Sequence, residues 1–520
     1  MTQKRILLFF ALLGIALSVH LPGLGFHSLW FDESSTAFIT SQHGFGNLFR
    51  TLFTFEGTPP LFYVMEKTFV HVFRLSIDEF SLRFLPMLFA SISCVLVYYV
   101  FREISGRITA GLAFVLVTAS NFYLYLSHEA RCYSLLSFMS LLTLWLVIQW
   151  WKKPGHTRSV ILCLSVALTV QVHYYALFWI AALCMSVFLV KLRDRRLLAF
   201  ILMNAVTAAV SFASLMFLFM TQFQHEVGAI RSYLTANWFV GIFYAPVKVL
   251  IGAYLFKIYE IERISRLDML GILPCAAILI AAGYYLYARM KKKAMNDPEK
   301  IMLLAAGLAF LLHAAFGSKI PTIHPRYMAH FLILLFGFVC LAFDTRKKTQ
   351  LLVFGTLCVL NVIATIKYYD RSRAYIEPWK EISAGVDSAV VSAAGGGPIT
   401  GTFLLCQNVA FYMKNKSVEF RCLPPISARE NFARLTVFGE TFYSPLFHYD
   451  FFPVEGSASF ADVIREQKHG ILLSEDRSSE AMMDDLKRRL GGMIEFSAPR
   501  IFRTNQGEVS ILGWKSRDRS

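Results

Sequence analysis

Apolar runs of about 20 residues recur along this chain, each closed by a short polar or basic stretch. As helices rising about 1.5 Å per residue they are long enough to cross roughly 30 Å of hydrocarbon. Their limits predict eleven spans, at 6–24, 82–101, 108–126, 133–151, 159–175, 176–191, 197–219, 268–288, 301–317, 327–343 and 350–367. The first run begins after Lys4-Arg5, as a signal peptide would. No small-x-small cleavage site precedes Pro22 and many spans follow, so it is read as a helix. A further apolar stretch, 238–256, tempts a twelfth span. Counting it would carry Lys291-Lys292-Lys293 and everything beyond to the opposite face, so the charge pattern favours an interfacial or re-entrant segment.

After about residue 368 the period changes. Charged residues rise, and short strand-like runs (Ala389 to Ser392, Ile399 to Leu405, Val418 to Cys422, Ile471 to Ser474, Val509 to Gly513) alternate with helical stretches such as Ala461 to Gln467 and Ser479 to Leu490. The prediction is therefore an α-helical polytopic membrane protein, residues 1–367 with a first outer loop 25–81, followed by a small extracytoplasmic α/β domain over 368–520. A domain of roughly 150 residues is large enough for its own core. Gly395-Gly396-Gly397 lacks the Gly-Lys-Ser/Thr ending of a phosphate loop and reads as a turn, so no nucleotide site is predicted.

Composition agrees: 56% of the 520 residues are hydrophobic and 17% charged. The net charge of +16 is not a nucleic-acid footprint, because the basic residues sit in alternate short loops. Arg102 and Arg107, then Lys152, Lys153 and Arg158, then Lys191, Arg193, Arg195 and Arg196 form one series, continued by Arg289 to Lys293 and Arg346 to Lys348. Such loops are cytoplasmic by the positive-inside rule. With a cytoplasmic N-terminus, residues 25–81, 127–132, 220–267, 318–326 and the C-terminal region share the outer face. Seven of nine cysteines lie in or at the ends of spans as small apolar residues. Cys406 and Cys422 are the two in the outer domain, and could pair in an oxidising compartment. No Cys-x-x-Cys or His-x-x-x-His spacing suggests a metal ligand set, and no cofactor is named by the sequence, which leaves a divalent-cation requirement open.

Candidate chemistry gathers on the outer stretches. Leu29-Trp30-Phe31-Asp32-Glu33-Ser34 sets two adjacent carboxylates at the edge of the hydrocarbon, where the bland role is to cap an interfacial helix anchored by Trp30. The loop goes on to Glu56-Gly57-Thr58-Pro59-Pro60-Leu61-Phe62-Tyr63, a stiff turn before an aromatic run that, taken alone, reads as scaffold. Ser127-His128-Glu129-Ala130-Arg131-Cys132-Tyr133 is either a structural ion pair or a cationic contact for phosphate, which the planar guanidinium makes well. Lys319, His324, Arg326 and Tyr327 form a second cationic cluster, set against the chain's own charge bias, which favours phosphate binding over snorkelling. His173 reads as an interfacial hydrogen-bonded residue. Two carboxylates and two cationic clusters suit sugar transfer: a carboxylate takes the proton from an acceptor hydroxyl while cations hold a departing phosphate.

Trp30-Phe31-Asp32-Glu33, Pro59-Pro60-Leu61, Arg83, Glu129-Ala130-Arg131-x-Tyr133 and Pro325-Arg326-Tyr327, in that order, resemble bacterial membrane glycosyltransferases of the GT-C class. The likeness is closer to the protein mannosyltransferase and aminoarabinose transferase-like group, and extends to Pro378-Trp379-Lys380-Glu381. It implies an inverting transfer from a polyprenyl-phosphate sugar to a hydroxyl on a cell-envelope lipid, glycan or protein, at the outer face of the bacterial inner membrane. Asp32 falls at the acidic catalytic position with Glu33 beside it, and Arg131 and Arg326 match positions for the carrier phosphate. Lys319, His128, Glu129, Tyr327 and Glu56 complete the expected substrate contacts. Thr58 stands where protein mannosyltransferases usually have a histidine, and the outer domain does not read as a β-trefoil; both argue against a protein acceptor. The implied partners are the lipid donor and membrane lipids, not nucleic acid. A flippase of lipid-linked sugars is the alternative of another class, and would need charged or broken helices at mid-membrane. A polymerase or ligase using a lipid-pyrophosphate donor is the alternative enzyme.

Overall fold

The structure is a computed structural model; it describes residues 3–220, 238–252, 266–317, 322–369, 379–392, 399–402, 408–409, 411–413, 420–423, 469–475, 494–496, 500–503 and 508–516. The chain divides into two compact units, the first made of 1–24, 57–65 and 80–370, the second of 25–56, 66–79 and 371–520.

The first unit is a bundle of apolar helices, and the protein is a multi-pass membrane protein. Gln3–His20, Glu79–Ile104, Tyr133–Lys152, Ile272–Lys291, Asp297–Phe316 and Lys347–Tyr369 are each long and apolar enough to cross a bilayer. Two bent pairs pass the same test: Arg107–Thr118 with Asn121–Ser127, turned by 59°, and Pro325–Leu332 with Leu334–Ala342, turned by 50°. His156–Val172, Ala176–Lys191 and Leu197–Ala213 are shorter apolar helices. Each of the eleven predicted spans falls on one of these helices or pairs.

Burial separates the centre of the bundle from its rim. Of the apolar windows, 78% of Glu79–Ile104 and 67% of Tyr133–Lys152 is buried, against 11% of Gln3–His20 and 22% of Lys347–Tyr369. The rim helices turn Leu198, Ile280, Leu352 and Ile366 outward, the pattern of side chains that face lipid tails. In the centre, packing is close enough that a Cβ on Gly337 would enter the Phe101 ring, so this contact needs glycine. Short polar ties cross the apolar interior: Thr143 Oγ1 lies 2.7 Å from Ser165 Oγ, and Trp179 Nε1 donates to the Ser140 carbonyl at 3.2 Å.

The break between Arg107–Thr118 and Asn121–Ser127 has an identifiable support. Ser120 caps the second helix, its Oγ accepting from Tyr123 N at 3.4 Å, and the Asn121 N–H donates to Asn361 Oδ1 at 2.9 Å. Asn361 Nδ2 in turn donates to the Leu250 carbonyl at 2.7 Å. Leu250 belongs to Trp238–Ile251, the 14-residue helix of the stretch predicted to be interfacial or re-entrant. It is about 21 Å long, short of the hydrocarbon thickness. It ends at Gly252, where a φ of +104° and the 2.8 Å that an added Cβ would leave to Ala364 and Asn121 both require glycine.

The second unit holds the helices Phe31–Ser41, Gly44–Phe55 and Trp379–Ser392 and a mixed sheet. The strands are β1 (Ile399–Thr402), β2 (Phe420–Leu423), β3 (His469–Glu475), β4 (Ile494–Phe496), β5 (Arg500–Arg503) and β6 (Glu508–Ser516). Their order is β2-β1-β3-β6-β4, with β5 also on β6. β1 runs parallel to β2 and β3, and β6 is antiparallel to β3, β4 and β5. The α/β expectation holds for this region, with one correction. Ala389 to Ser392, a strand-like run in the sequence, is the last turn of Trp379–Ser392. Trp379, Ile382, Ser383 and Val386 of that helix are buried at helical spacing, and this packing overrides the local β-branched preference. The Ala461 to Gln467 and Ser479 to Leu490 helices and Gly395 to Gly397 lie outside the described residues, as does Cys406.

Candidate functional site

In the first unit the second outer loop folds tightly. The Arg131 N–H reaches back to the Glu129 carbonyl at 2.7 Å, which brings both side chains of the Glu-Ala-Arg run to one turn. Arg131 Nη1 donates to the Tyr63 hydroxyl at 2.8 Å, and that hydroxyl lies 3.3 Å from Thr58 Oγ1. Arg326 Nη1 donates to Glu129 Oε1 at 3.3 Å, a pair with 12% and 1% of the side chains exposed. Arg326 enters from the start of Pro325–Leu332, where Pro325 occupies the first turn without wasting a donor. Its Cζ sits 5.4 Å from the ring centres of both Tyr133 and Tyr327, within cation–π range. His173 packs on the same two rings at 6.1 and 6.0 Å.

The result is a buried, aromatic-walled cluster of two guanidinium groups and one carboxylate at the ends of apolar helices. Taking such charges out of water is costly, and each survives there on specific partners. His324 caps Pro325–Leu332, its Nδ1 accepting from Arg326 N at 3.4 Å. Burial holds its imidazole well below the usual histidine range, and the Arg326 and Lys248 charges add to the effect. His324 is thus the neutral, accepting form. Lys248, only 2% exposed on the Trp238–Ile251 helix, is a cation that the sequence reading did not select. Its signal was available: one lysine inside an otherwise apolar stretch.

Other expected contacts resolve differently. His128 has both ring nitrogens engaged, Nε2 donating to the His20 carbonyl at 2.6 Å and Nδ1 facing the Tyr368 hydroxyl at 2.8 Å. A carbonyl can only accept, so Nε2 carries a proton. This histidine ties the second outer loop to two helices of the bundle. Arg83 donates to the Leu24 carbonyl at 3.2 Å and closes the end of the first span. Lys319 lies outside the described residues. In sequence Tyr63 reads as scaffold, and its place against Arg131 follows from the fold rather than from any local pattern.

Asp32, Glu33 and Glu56 belong to the second unit. Asp32 and Glu33 occupy the first turn of Phe31–Ser41, where the helix dipole favours negative charge. The two differ in what they do. Glu33 is buried, 1% exposed, and its Oε2 accepts from the Trp30 N–H at 3.2 Å, the return bond of an N-terminal cap. Asp32 is half-buried, and its carbonyl receives the Thr36 hydroxyl at 3.2 Å. Glu56 is buried at the end of Gly44–Phe55. Among the described residues, no group of three His, Cys, Asp or Glu side chains is placed to hold a metal ion.

Residues 57–219 match the dolichyl-phosphate-mannose-protein mannosyltransferase family. No curated protein sequence matches. Among solved structures, ArnT from Cupriavidus metallidurans bound to undecaprenyl phosphate aligns over 98% of both chains at 13% identity, with a TM-score of 0.57. The oligosaccharyltransferase of Archaeoglobus fulgidus aligns over 100% of this chain and 75% of its own, at 12% identity and a TM-score of 0.53. The fold is therefore that of the GT-C membrane glycosyltransferases, and the chain resembles their protein mannosyltransferase and ArnT group.

Proposed function

We propose that the protein is an inverting glycosyltransferase that uses a polyprenyl-phosphate sugar at the outer face of the bacterial inner membrane, with the N-terminus cytoplasmic and residues 368–520 extracytoplasmic. The observation that carries this reading is the buried Arg131–Tyr63 and Arg326–Glu129 cluster, a polar mouth on a greasy bundle. It suits the phosphate end of a lipid carrier. In this reading Asp32 takes the proton from an acceptor hydroxyl as its oxygen bonds to the anomeric carbon. The bond from that carbon to the phosphate oxygen breaks, and its electron pair leaves on the carrier phosphate, held by Arg131 and Arg326. The products are a glycoside, polyprenyl phosphate and a protonated Asp32, so no separate general acid is needed. Glu33 shapes the turn that carries Asp32. ArnT bound to undecaprenyl phosphate and the Archaeoglobus oligosaccharyltransferase with a dolichol-phosphate support a lipid-phosphate ligand on this fold.

The two bent helix pairs are the feature that a flippase would also use. One assay separates the readings. Purified protein is given a radiolabelled panel of polyprenyl-phosphate hexoses and pentoses with host membrane extract as acceptor. Wild type releases polyprenyl phosphate, and Asp32→Asn keeps donor binding while turnover falls by about 10³-fold or more, as for loss of a general base that acts with the leaving-group cations. Normal turnover by Asp32→Asn would remove that acid from the chemistry. Movement of donor across vesicles without release of polyprenyl phosphate would favour the flippase.

A further inference from the structure

The Trp379-Lys380-Glu381 run and residues 408–409 and 411–413 find no role in the reaction above, yet Asn408 and Tyr412 are bonded to the turn that carries Asp32 and Lys380 lies against Tyr412. The Leu29 N–H donates to the Tyr412 hydroxyl at 2.6 Å, just ahead of Phe31–Ser41. One helical turn further, Ser34 Oγ donates to Asn408 Oδ1. Leu29, Ser34 and Asn408 are all buried. The segment is itself held from behind: Ser383 Oγ donates to the Val409 carbonyl at 2.9 Å, and Lys380 Nζ lies 5.7 Å from the Tyr412 ring centre. Lys380 also pairs with Glu79 at 2.6 Å, and Trp379 is buried beneath. These groups belong to one compact unit.

A free outer loop would leave Asp32 on a short helix fixed only by its own cap. Here two side chains from 383 and 374 residues downstream hold the chain on either side of Asp32, at Leu29 ahead of the helix and at Ser34 within it. We propose that the C-terminal region acts as a positioning device for the catalytic acid, with Tyr412 and Asn408 as its positioning residues. This rests on the assignment of Asp32 as the base. A displacement of about 1 Å at a reacting group costs up to ~10²-fold in rate, so two bonds at this spacing are well placed to matter.

Tyr412→Phe removes one hydroxyl and keeps the ring. With the donor that turns over best, it lowers kcat by about 10-fold and leaves the donor KM unchanged. In an Asp32→Asn background the same change alters the remaining rate by less than about 2-fold, because the tyrosine acts through the acid. Hydrogen exchange of residues 29–41 gives a readout that needs no donor: it speeds up by about 10-fold in Tyr412→Phe and further in Asn408→Ala, with the bundle helices unchanged. Unaltered exchange, an unaltered kcat, or an equal loss with and without Asp32 would each overturn the proposal. If Asp32→Asn itself turns over normally, the base assignment fails instead, and the exchange result still decides whether the clamp exists.

Discussion

The cations and the acid are held by opposite means. Arg131 and Arg326 stand among packed apolar helices, and their partners Tyr63, Glu129, Tyr133 and Tyr327 come from three separate stretches of the chain. Asp32 stands on an 11-residue helix that buries Ala37, Phe38 and Ile39, and the chain at its start also carries a return bond from Glu33 and bonds to two side chains of the C-terminal region. Packing of apolar helices fixes the first arrangement at little cost to each polar contact. The second adds to its packing a few hydrogen bonds at the turn itself, each worth about 0.5–1.5 kcal/mol. The comparison implies that variants of the cationic cluster act on binding, and variants around the acid act on rate.

Arg131→Met is the strongest way to break that contrast. It removes a buried cation that donates to the Tyr63 hydroxyl, and keeps a side chain of similar length in its place. The donor KM should rise by about 10- to 100-fold, the ~1.5–3 kcal/mol of a charged hydrogen bond, with kcat moved much less. A fall in kcat at unchanged KM would mean that Arg131 works on the transition state alone.

Glu66→Gln reads the second unit at smaller scale. Glu66 is fully buried, neither carboxyl oxygen has a hydrogen-bond partner among the described residues, and burial raises its pKa well above the usual carboxylate range. Between the unfolded value, about 4.3, and that raised value the folded protein keeps a proton that the unfolded chain releases. Stability therefore falls as pH rises through that window. The amide removes the titration, so the variant should be more stable than wild type at pH 8, by about 1–3 kcal/mol, with the gain shrinking towards pH 4.5. Melting curves at several pH values test this, and an equal shift at every pH would point to simple packing.

Much of the bundle was legible because a 20-residue apolar run has few other uses. The break at Ile333 was not, since apolar character continues through it, and the one at Ala119-Ser120 is marked only by the short polar run Thr118-Ala119-Ser120-Asn121 within a span-length stretch. Arg131, Glu129 and Arg326 were legible as charges in the wrong place, and the structure does bring them together. Tyr63, Lys248, Tyr412 and Asn408 were not, because their importance comes from partners that only folding supplies. Val390-Val391 shows the converse: local preference pointed to a strand, and one buried helical face outweighed it.

The finest test divides the adjacent acids. Asp32 and Glu33 are equivalent in sequence, two carboxylates in one first turn, and the structure separates them by burial and by the bond from Trp30 N to Glu33 Oε2. Glu33→Gln keeps an oxygen that can accept that bond while removing the charge. The loss is then the helix-dipole and charge-assisted part of the cap, about 0.5–1 kcal/mol of stability, read as a small fall in melting temperature. Turnover should stay within about 3-fold of wild type, since 1 kcal/mol of local stability barely alters the population of a folded helix. A collapse of turnover by ~10³-fold in Glu33→Gln, with Asp32→Asn active, would exchange the two roles: the buried acid would be the base, and its bond to Trp30 would be the resting state that substrate binding must open.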